Sequence, residues 1–356
     1  FLTTDEKERY QKHLTLKEIG YEGQLSLKNS SVLCIGAGGL GSSVLLYLAA
    51  AGIGKIGIVD NDYVEKSNLQ RQIIHETNTI GSLKIDSAQE RIKKFNPNSE
   101  LLTFAERINP KNALEIIQKF DIVCDCSDNF GTRYLINDAC LILNKPLVFG
   151  SVQGFEGQVS VFNLNKTSPN LRDLLPESPS KNAVPSCAEY GVVGVSTGLI
   201  GIIQVNEIIK IILKKGEVLD GKIMVFDLLH MNTKKLHLKS DQVNKQIKNL
   251  SKFMDYYSDD ECSTENRKIN RINAYDFISL YKIKPNEILL IDVRENEEFS
   301  ASAIEGSISL PLSHLNQKPD LEFIQKESLI KEVFTICKTG KRSEKASKIL
   351  SKFKIQ

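Results

Sequence analysis

The chain has no surplus of charge of either sign. Its 46 basic and 44 acidic residues leave a formal net charge of +2 over 356 residues. That excludes the broad basic field by which a protein holds nucleic acid. Lysines gather mildly toward the C-terminus, but acids are interspersed there, as on a solvated face. The chain also lacks any CxxC pair. Its cysteines number seven, an odd count, and Cys124 and Cys126 stand as CxC. Structural tetrathiolate zinc is thereby argued against. Cys34, Cys124 and Cys140 lie in apolar runs, as buried thiols do in a reducing compartment, not as members of a disulfide framework. No signal-peptide pattern is visible in a sequence that opens at Phe1. The most apolar stretch, residues 191–213, is interrupted by Gln204, Asn206, Glu207 and Lys210. It reads as a buried or interface helix and not as a membrane span. There is no internal repeat. With 41% hydrophobic residues the length suits two domains with sizeable cores.

What is present centres on residues 31–60. An apolar run of strand length, 32–35, leads straight into Gly36-Ala37-Gly38-Gly39-Leu40-Gly41. Residues 42–51 are apolar at helical spacing, and 55–59 read as a second strand that ends at Asp60. A strand, glycine turn, helix and strand, closed by an acid about 20 residues past the last glycine, is the dinucleotide-binding pattern. Gly36 permits the tight turn, Gly38 and Gly39 let backbone approach a phosphate, and Gly41 lets the helix pack on the strand. The helix N-terminus offers free N–H groups and a positive dipole end to an anion. Asp60 can accept hydrogen bonds from ribose hydroxyls. The pattern leaves NAD, FAD and ATP open.

Along the chain, residues 4–14 read as an amphipathic helix and 20–24 as a turn. Residues 61–73 are polar and irregular, and a helix is expected from about 84 to 95. Strands are expected at 101–105, 121–126 and 146–151, with helices at 112–119 and 132–144 between them. Alternation of this kind predicts an α/β fold: a Rossmann-like, mostly parallel sheet with helices on both faces. Residues 156–164 alternate and read as an antiparallel strand. Residues 167–186 form a loop rich in Pro, Ser and Asn, of the kind used as lids or crossovers. A long apolar helix follows at 198–213, then strands at 222–227 and 234–238. The first domain is expected to span 1–240, a linker 241–268, and a small α/β domain 269–356.

These residues together resemble the E1-type adenylyltransferases that activate ubiquitin-like sulfur carriers, the MoeB and ThiF family, followed by a rhodanese domain. The motifs carrying the resemblance are the glycine run, Asp60-Asn61-Asp62, Ser67-Asn68-Leu69-Gln70-Arg71-Gln72, Lys84, Asp125-Cys126-Ser127-Asp128-Asn129 and Val184-Pro185-Ser186-Cys187. The resemblance implies ATP as substrate and Mg²⁺ as its companion. It implies an ATP site of Gly39, Asp60, Ser67, Asn68, Leu69, Gln70, Arg71, Lys84, Asp128 and Asn129. Asn68 and Arg71 would meet the triphosphate and Lys84 the phosphates. Asp60 would hold the ribose and Asp128 would position the metal. A carboxylate attacking an α-phosphate needs such cations and a bridging metal. Cys187, after the loop and before the apolar helix, is the family's candidate nucleophile, and a helix N-terminus would lower its pKa.

The family's zinc-binding members carry CxxC where this chain has Asn170 and Asp173, and the second CxxC is absent after Leu238, so no zinc site is carried over. An N-terminal arginine that reaches the partner subunit's nucleotide is matched by Lys12, which keeps the charge and loses the bidentate fork. The family's rhodanese domain continues with a strand and helix beyond the position of Gln356.

In the second domain, Cys337 opens a loop between a strand at 333–336 and a helix. Backbone N–H groups of Lys338, Thr339, Gly340, Lys341 and Arg342 can form an anion nest, and the three basic side chains add charge. Such a cradle depresses a thiol pKa and stabilises a persulfide anion. Asp292-Val293-Arg294 with Glu298-Phe299 is the second rhodanese signature, with Ser302-Ala303-Ile304 in place of Gly-His-Ile. From chemistry alone a phosphatase remains open; the six-residue loop favours sulfur.

The expected function is ATP-dependent adenylation of the C-terminal glycine of a MoaD- or ThiS-like carrier. Sulfur would follow from a persulfide on Cys337, loaded by a donor such as a cysteine desulfurase. A homodimer is expected, in a bacterial cytoplasm or a plastid stroma, with no nucleic acid or membrane partner. The rivals are an NAD-dependent dehydrogenase with an unrelated tail, and an adenylyltransferase or carrier-binding adaptor whose rhodanese tail is inactive.

Overall fold

The computed structural model describes residues 1–176, 191–250, 257, 272–315, 321–328 and 331–352. The chain divides into two compact units, Phe1–Cys262 and Ser263–Gln356. The expected nucleophile Cys187, its neighbours Val184, Pro185 and Ser186, and much of the expected linker lie outside the described residues.

The first unit opens with α1 (Thr4–Arg9), α2 (Gln11–Leu14) and α3 (Gly20–Lys28). Thr3 caps α1 in a capping box with Glu6. The single helix expected over 4–14 is broken at Tyr10, a buried residue at φ −99°, ψ 17° whose hydroxyl accepts from Asn96 Nδ2 at 2.8 Å. The turn expected at 20–24 is helical instead. Gly23 sits in α3 because a side chain there would press on Leu213 at 3.0 Å and Ile19 at 3.2 Å. Its glycine serves packing, not a turn.

The chain then alternates: β1 (Ser31–Ile35), α4 (Gly39–Ala51), β2 (Lys55–Val59), α5 (Lys84–Phe95), β3 (Glu100–Phe104), α6 (Ala113–Ile117), β4 (Ile122–Asp125), α7 (Phe130–Leu143) and β5 (Leu147–Gln153). Then come β6 (Glu156–Phe162), α8 (Leu171–Leu174), α9 (Gly194–Leu213), β7 (Lys222–Asp227) and β8 (Asn232–His237). The sheet order is β3-β2-β1-β4-β5-β6-β7-β8. The first five strands are parallel, and β6, β7 and β8 add antiparallel. The parallel strands read as apolar runs because both faces are covered. Alternate residues of β1 show this. Val32 and Cys34 join the core built with Val44, Leu48, Ile85, Ile92, Ile200 and Ile208. Leu33 and Ile35 join the opposite core with Ile116, Ile117, Tyr134 and Leu135. Helix α9 packs along α4, β5 and β6. Between β1 and β4 the strand order reverses, which is where open α/β sheets form their ligand crevice.

The second unit is smaller. Its elements are α10 (Ala274–Ile283), β9 (Ile288–Asp292), α11 (Asn296–Ala301), β10 (Ile308–Ser309), α12 (Leu312–Leu315), α13 (Glu322–Glu327), β11 (Glu332–Ile336) and α14 (Lys341–Lys352). Strand β9 lies between β10 and β11, parallel to both. Its five residues are all buried. Pro311 lies two residues past the end of the short strand β10.

Candidate active sites

The crevice of the first unit is built by the loops after β1, β2 and β4. Gly36 leaves β1 at φ 102°, a conformation costly for any side chain. A Cβ there would also lie 2.7 Å from the carbonyl oxygen of Cys126, so this turn touches the one after β4. Gly41 has the tightest fit in the loop, since a Cβ would sit 2.0 Å from the oxygen of Gly36. The loop ends at Gly38, the N-cap of α4, with no side-chain cap. The first N–H groups of α4 therefore keep their capacity for an anion.

Asp60 is fixed by backbone. Its Oδ2 accepts from Ala37 N–H at 2.8 Å and its Oδ1 from Asp62 N–H at 2.8 Å. Burial raises its pKa, against the opposing pull of Lys84 and these N–H groups. Lys84 opens α5 with its side chain buried and its Nζ 3.0 Å from Asp62 Oδ2. It is thus an oriented cation and not a solvated helix residue. Ser67 and Asn68 lie in a single 3₁₀ turn, Lys66–Asn68. Arg71 donates from Nη1 to the Ser67 carbonyl at 3.2 Å, which folds its guanidinium back over the Ser67–Arg71 segment. Leu69 and Gln70 complete that segment, and Gly194, at the start of α9, abuts the Gln70 carbonyl.

On the β4 side, Asp125 is wholly buried. Its Oδ1 accepts from Ser127 N–H at 2.9 Å and from Ser127 Oγ at 2.6 Å, while Oδ2 has no partner. Burial raises its pKa, offset in part by Arg133 and Ser127. Arg133 donates to the Ser127 carbonyl at 3.0 Å, and Asn129 caps α7 by accepting from Thr132 N–H at 2.8 Å. The turn is thus tied on both sides, and it presents the exposed carboxylate of Asp128. Its one hydrogen bond is a long contact from Asn129 at 3.5 Å.

For a metal, the donor set is lean. No group of three or more His, Cys, Asp or Glu converges among the described residues. An exposed carboxylate on the turn that abuts the glycine loop still fits Mg²⁺, which binds through one or two carboxylates plus substrate phosphates. Asn170 and Asp173 instead make a capping box on α8, and Asp173 Oδ1 also accepts from Asn244 Nδ2 at 2.8 Å.

Sequence reasoning missed His75. It is buried, and its ring bonds the Ala37 carbonyl at 2.9 Å and Ser87 Oγ at 2.9 Å. A lone histidine in an irregular segment carries no spacing signal.

In the second unit, Cys337 directly follows β11 and is partly buried. Burial alone would raise its thiol. The contact with the Ser343 hydroxyl at 3.6 Å and hydrogen bonds from the N–H groups of Ser343, Thr339 and Arg342 outweigh it and hold the thiol below its ordinary range. The Ser343 N–H lies 3.3 Å from Sγ. The exposed Lys338, Thr339, Gly340 and Lys341 form the rim, with Gly340 at φ 83°. Arg342 contributes its backbone to this nest, but its guanidinium pairs with Glu298 through two hydrogen bonds, one of 2.8 Å from Nη2 to Oε1. That pairing holds the Glu298 carboxyl down at about 2. Arg294 is likewise held, by Asp292 at 2.7 Å.

The first unit is a doubly wound nucleotide-type α/β domain with an oriented lysine and a free acid at its switch point. The second is a thiolate cradle on a small parallel sheet. The ThiF family matches this chain over residues 10–247, and the rhodanese-like domain matches residues 279–356. The chain belongs to the ThiF family and carries a C-terminal rhodanese-like domain. It is 38% identical over 352 residues to the probable adenylyltransferase/sulfurtransferase MoeZ of Mycobacterium tuberculosis, covering 97% of this chain and 88% of that one. It is 37% identical over 364 residues to the adenylyltransferase and sulfurtransferase MOCS3 of Aedes aegypti, covering 98% and 83%. Among solved structures, E. coli MccB with ATP matches with TM-score 0.54 at 19% identity, over 68% of this chain and 81% of that one. PaaA matches with TM-score 0.59 at 22% identity, over 67% and 76%. These two likenesses concern the fold.

Proposed function

We propose that this chain adenylates the C-terminal glycine of a ubiquitin-like sulfur carrier and then exchanges one carboxylate oxygen for sulfur carried on Cys337. In the first step a carrier carboxylate oxygen attacks the α-phosphorus of ATP. The bond to the β-phosphate oxygen breaks and pyrophosphate leaves. The α4 N-terminus, Arg71 and Lys84 face the growing negative charge, and Asp60 orients the ribose. Asp128 would hold Mg²⁺, which would supply charge neutralisation on the phosphate oxygens. In the second step the terminal sulfur of a Cys337 persulfide attacks the acyl carbon, and AMP leaves. The thiolate of a second cysteine, Cys187 in this reading, then attacks Cys337 Sγ; the bond to the acyl sulfur breaks, the thiocarboxylate leaves, and the Cys187–Cys337 disulfide that forms is reduced by an external dithiol before the next turnover.

The observation that carries the reading is the pairing of two chemistries on one chain. A phosphate crevice with an oriented lysine accompanies a thiol facing three backbone N–H groups and one hydroxyl. A tail retained only as an adaptor has no need of a lowered thiol pKa. In the same reading a cysteine desulfurase loads Cys337, and two copies associate through apolar residues such as Tyr47 of α4 and Val195 and Ile202 of α9. The buried Cys34, Cys124, Cys126 and Cys140 suit the reducing bacterial cytoplasm or plastid stroma. The test is ATP–pyrophosphate exchange with candidate carriers. Exchange that requires the carrier's C-terminal glycine supports the proposal; exchange with no carrier, or with none of them, refutes it.

A further inference from the structure

The peptide groups on either side of Ala37 are each held by a different side chain, the half-buried Asp60 and the buried His75. On one side the Ala37 N–H donates to Asp60 Oδ2 at 2.8 Å. On the other the Ala37 carbonyl lies 2.9 Å from His75 Nε2. A carbonyl only accepts, so Nε2 carries the proton. Ser87 Oγ lies 2.9 Å from Nδ1 and 3.0 Å from Thr79 Oγ1. Ser87 is itself buried on α5 and fixes the ring from behind. Burial lowers the basicity of His75, in keeping with a neutral ring in that tautomer.

The consequence runs through one trans peptide plane. The Ala37 C=O and the Gly38 N–H belong to the same planar group and point in opposite directions. Drawing the carbonyl inward to His75 therefore turns the Gly38 N–H away from His75. That N–H makes no hydrogen bond with any described residue, although Gly38 is the N-cap of α4 and partly exposed. Flanked by Gly36 and Gly38, the Ala37 carbonyl has little steric preference of its own. Without an anchor the plane could turn over and present an oxygen where an anion is to bind.

We propose that His75 is a positioning residue for adenylation, holding the Ala37–Gly38 peptide so that the Gly38 N–H faces a nucleotide phosphate. This rests on the reading of the crevice as the ATP site. His75 touches no reacting atom; it acts through the loop. Its counterpart is Asp60, which joins the ribose-holding carboxylate to the same loop residue.

The test measures ATP binding by calorimetry, without carrier, on the full chain. His75→Phe fills the site without a donor, His75→Gln restores an N–H where Nε2 stands, and Ser87→Ala frees the ring to turn. His75→Phe is expected to weaken ATP about tenfold at a melting temperature near that of wild type. His75→Gln is expected to return it to within about threefold, and Ser87→Ala to weaken it about threefold. Rescue by glutamine is the readout a packing role alone would not show. The proposal is overturned if His75→Phe binds ATP as wild type does, or if His75→Gln is as poor as His75→Phe. Should His75→Phe fail to fold, unchanged binding by Ser87→Ala overturns it. If wild type binds no ATP, the reading of the crevice falls and this proposal with it.

Discussion

Replacing Gly41 by alanine puts one methyl group into the tightest contact of the glycine loop. The new Cβ would stand 2.0 Å from the Gly36 oxygen and 2.9 Å from its carbon, whereas real approaches begin near 3.0 Å. The obstructing atoms are backbone, so no side chain can swing aside. Gly36 is pinned in turn, because its N–H donates to the Val59 carbonyl at 2.9 Å and it abuts the Cys126 carbonyl. Loop and helix must separate by about 1 Å, and a displacement of that size costs roughly 100-fold when it separates binding groups from a reacting centre. That corresponds to about 2.7 kcal/mol in kcat/KM. The assay is ATP–pyrophosphate exchange at saturating carrier, with circular dichroism to verify folding. Gly198→Ala is the matched control. It lies in α9 with nothing within 4 Å of a new Cβ in one copy, so it controls for the effect of an added methyl on folding, and it is expected to gain about 0.5–1 kcal/mol of stability. A folded Gly41→Ala enzyme within threefold of wild-type exchange refutes the claim that loop geometry limits the reaction.

Asp128→Ala is expected to lower exchange by about 10²–10³-fold with the fold intact, since the side chain is exposed and holds nothing else in place; exchange at the wild-type rate removes Asp128 from the site. Ser343→Ala removes the hydroxyl beside Cys337 Sγ that helps hold the thiol pKa down, so the thiol pKa rises and the midpoint of its alkylation moves to higher pH; a midpoint that stays or falls contradicts the nest. Arg172→Leu takes from the wholly buried Asp138 the cation that meets it at 3.0 and 2.7 Å, leaving the neutral donors Tyr257 at 2.6 Å and Asn137 at 3.0 Å. Loss of about 3–5 kcal/mol is expected, a fall of roughly 10 °C in melting temperature. Glu298 holds its proton less tightly folded, near 2, than its ordinary 4.5. Its pairing with Arg342 therefore stabilises the second unit above pH 4.5, and that contribution fades as pH falls toward 2, a dependence Glu298→Gln should abolish.

The parallel sheet was legible because β1, β2 and β4 are short apolar runs, each punctuated by glycine or by polar residues at its C-terminal end. The glycine loop, Asp60 and the Ser127–Asn129 turn could be placed from there, since a parallel strand delivers whatever follows it to the same edge. Helix α3 was hidden by Gly20 and Gly23, which mimic a turn. The helices α12 and α13, of four and six residues, are too short to show a period. Partnerships between distant positions were not legible at all. Nothing in spacing links His75 to Ala37, or Glu298 to Arg342 across 44 residues, because those pairs exist only after the strands have brought their loops together.

The central claim is that one chain both activates a carrier and sulfurates it. The most direct measurement is the intact mass of the carrier after incubation with this enzyme, ATP, Mg²⁺ and a persulfide donor. Wild type is predicted to raise the carrier's mass by the difference between sulfur and oxygen, while Cys337→Ala stops at the adenylate. A carrier that gains sulfur equally well with Cys337→Ala, or that is never altered by wild type, contradicts the account.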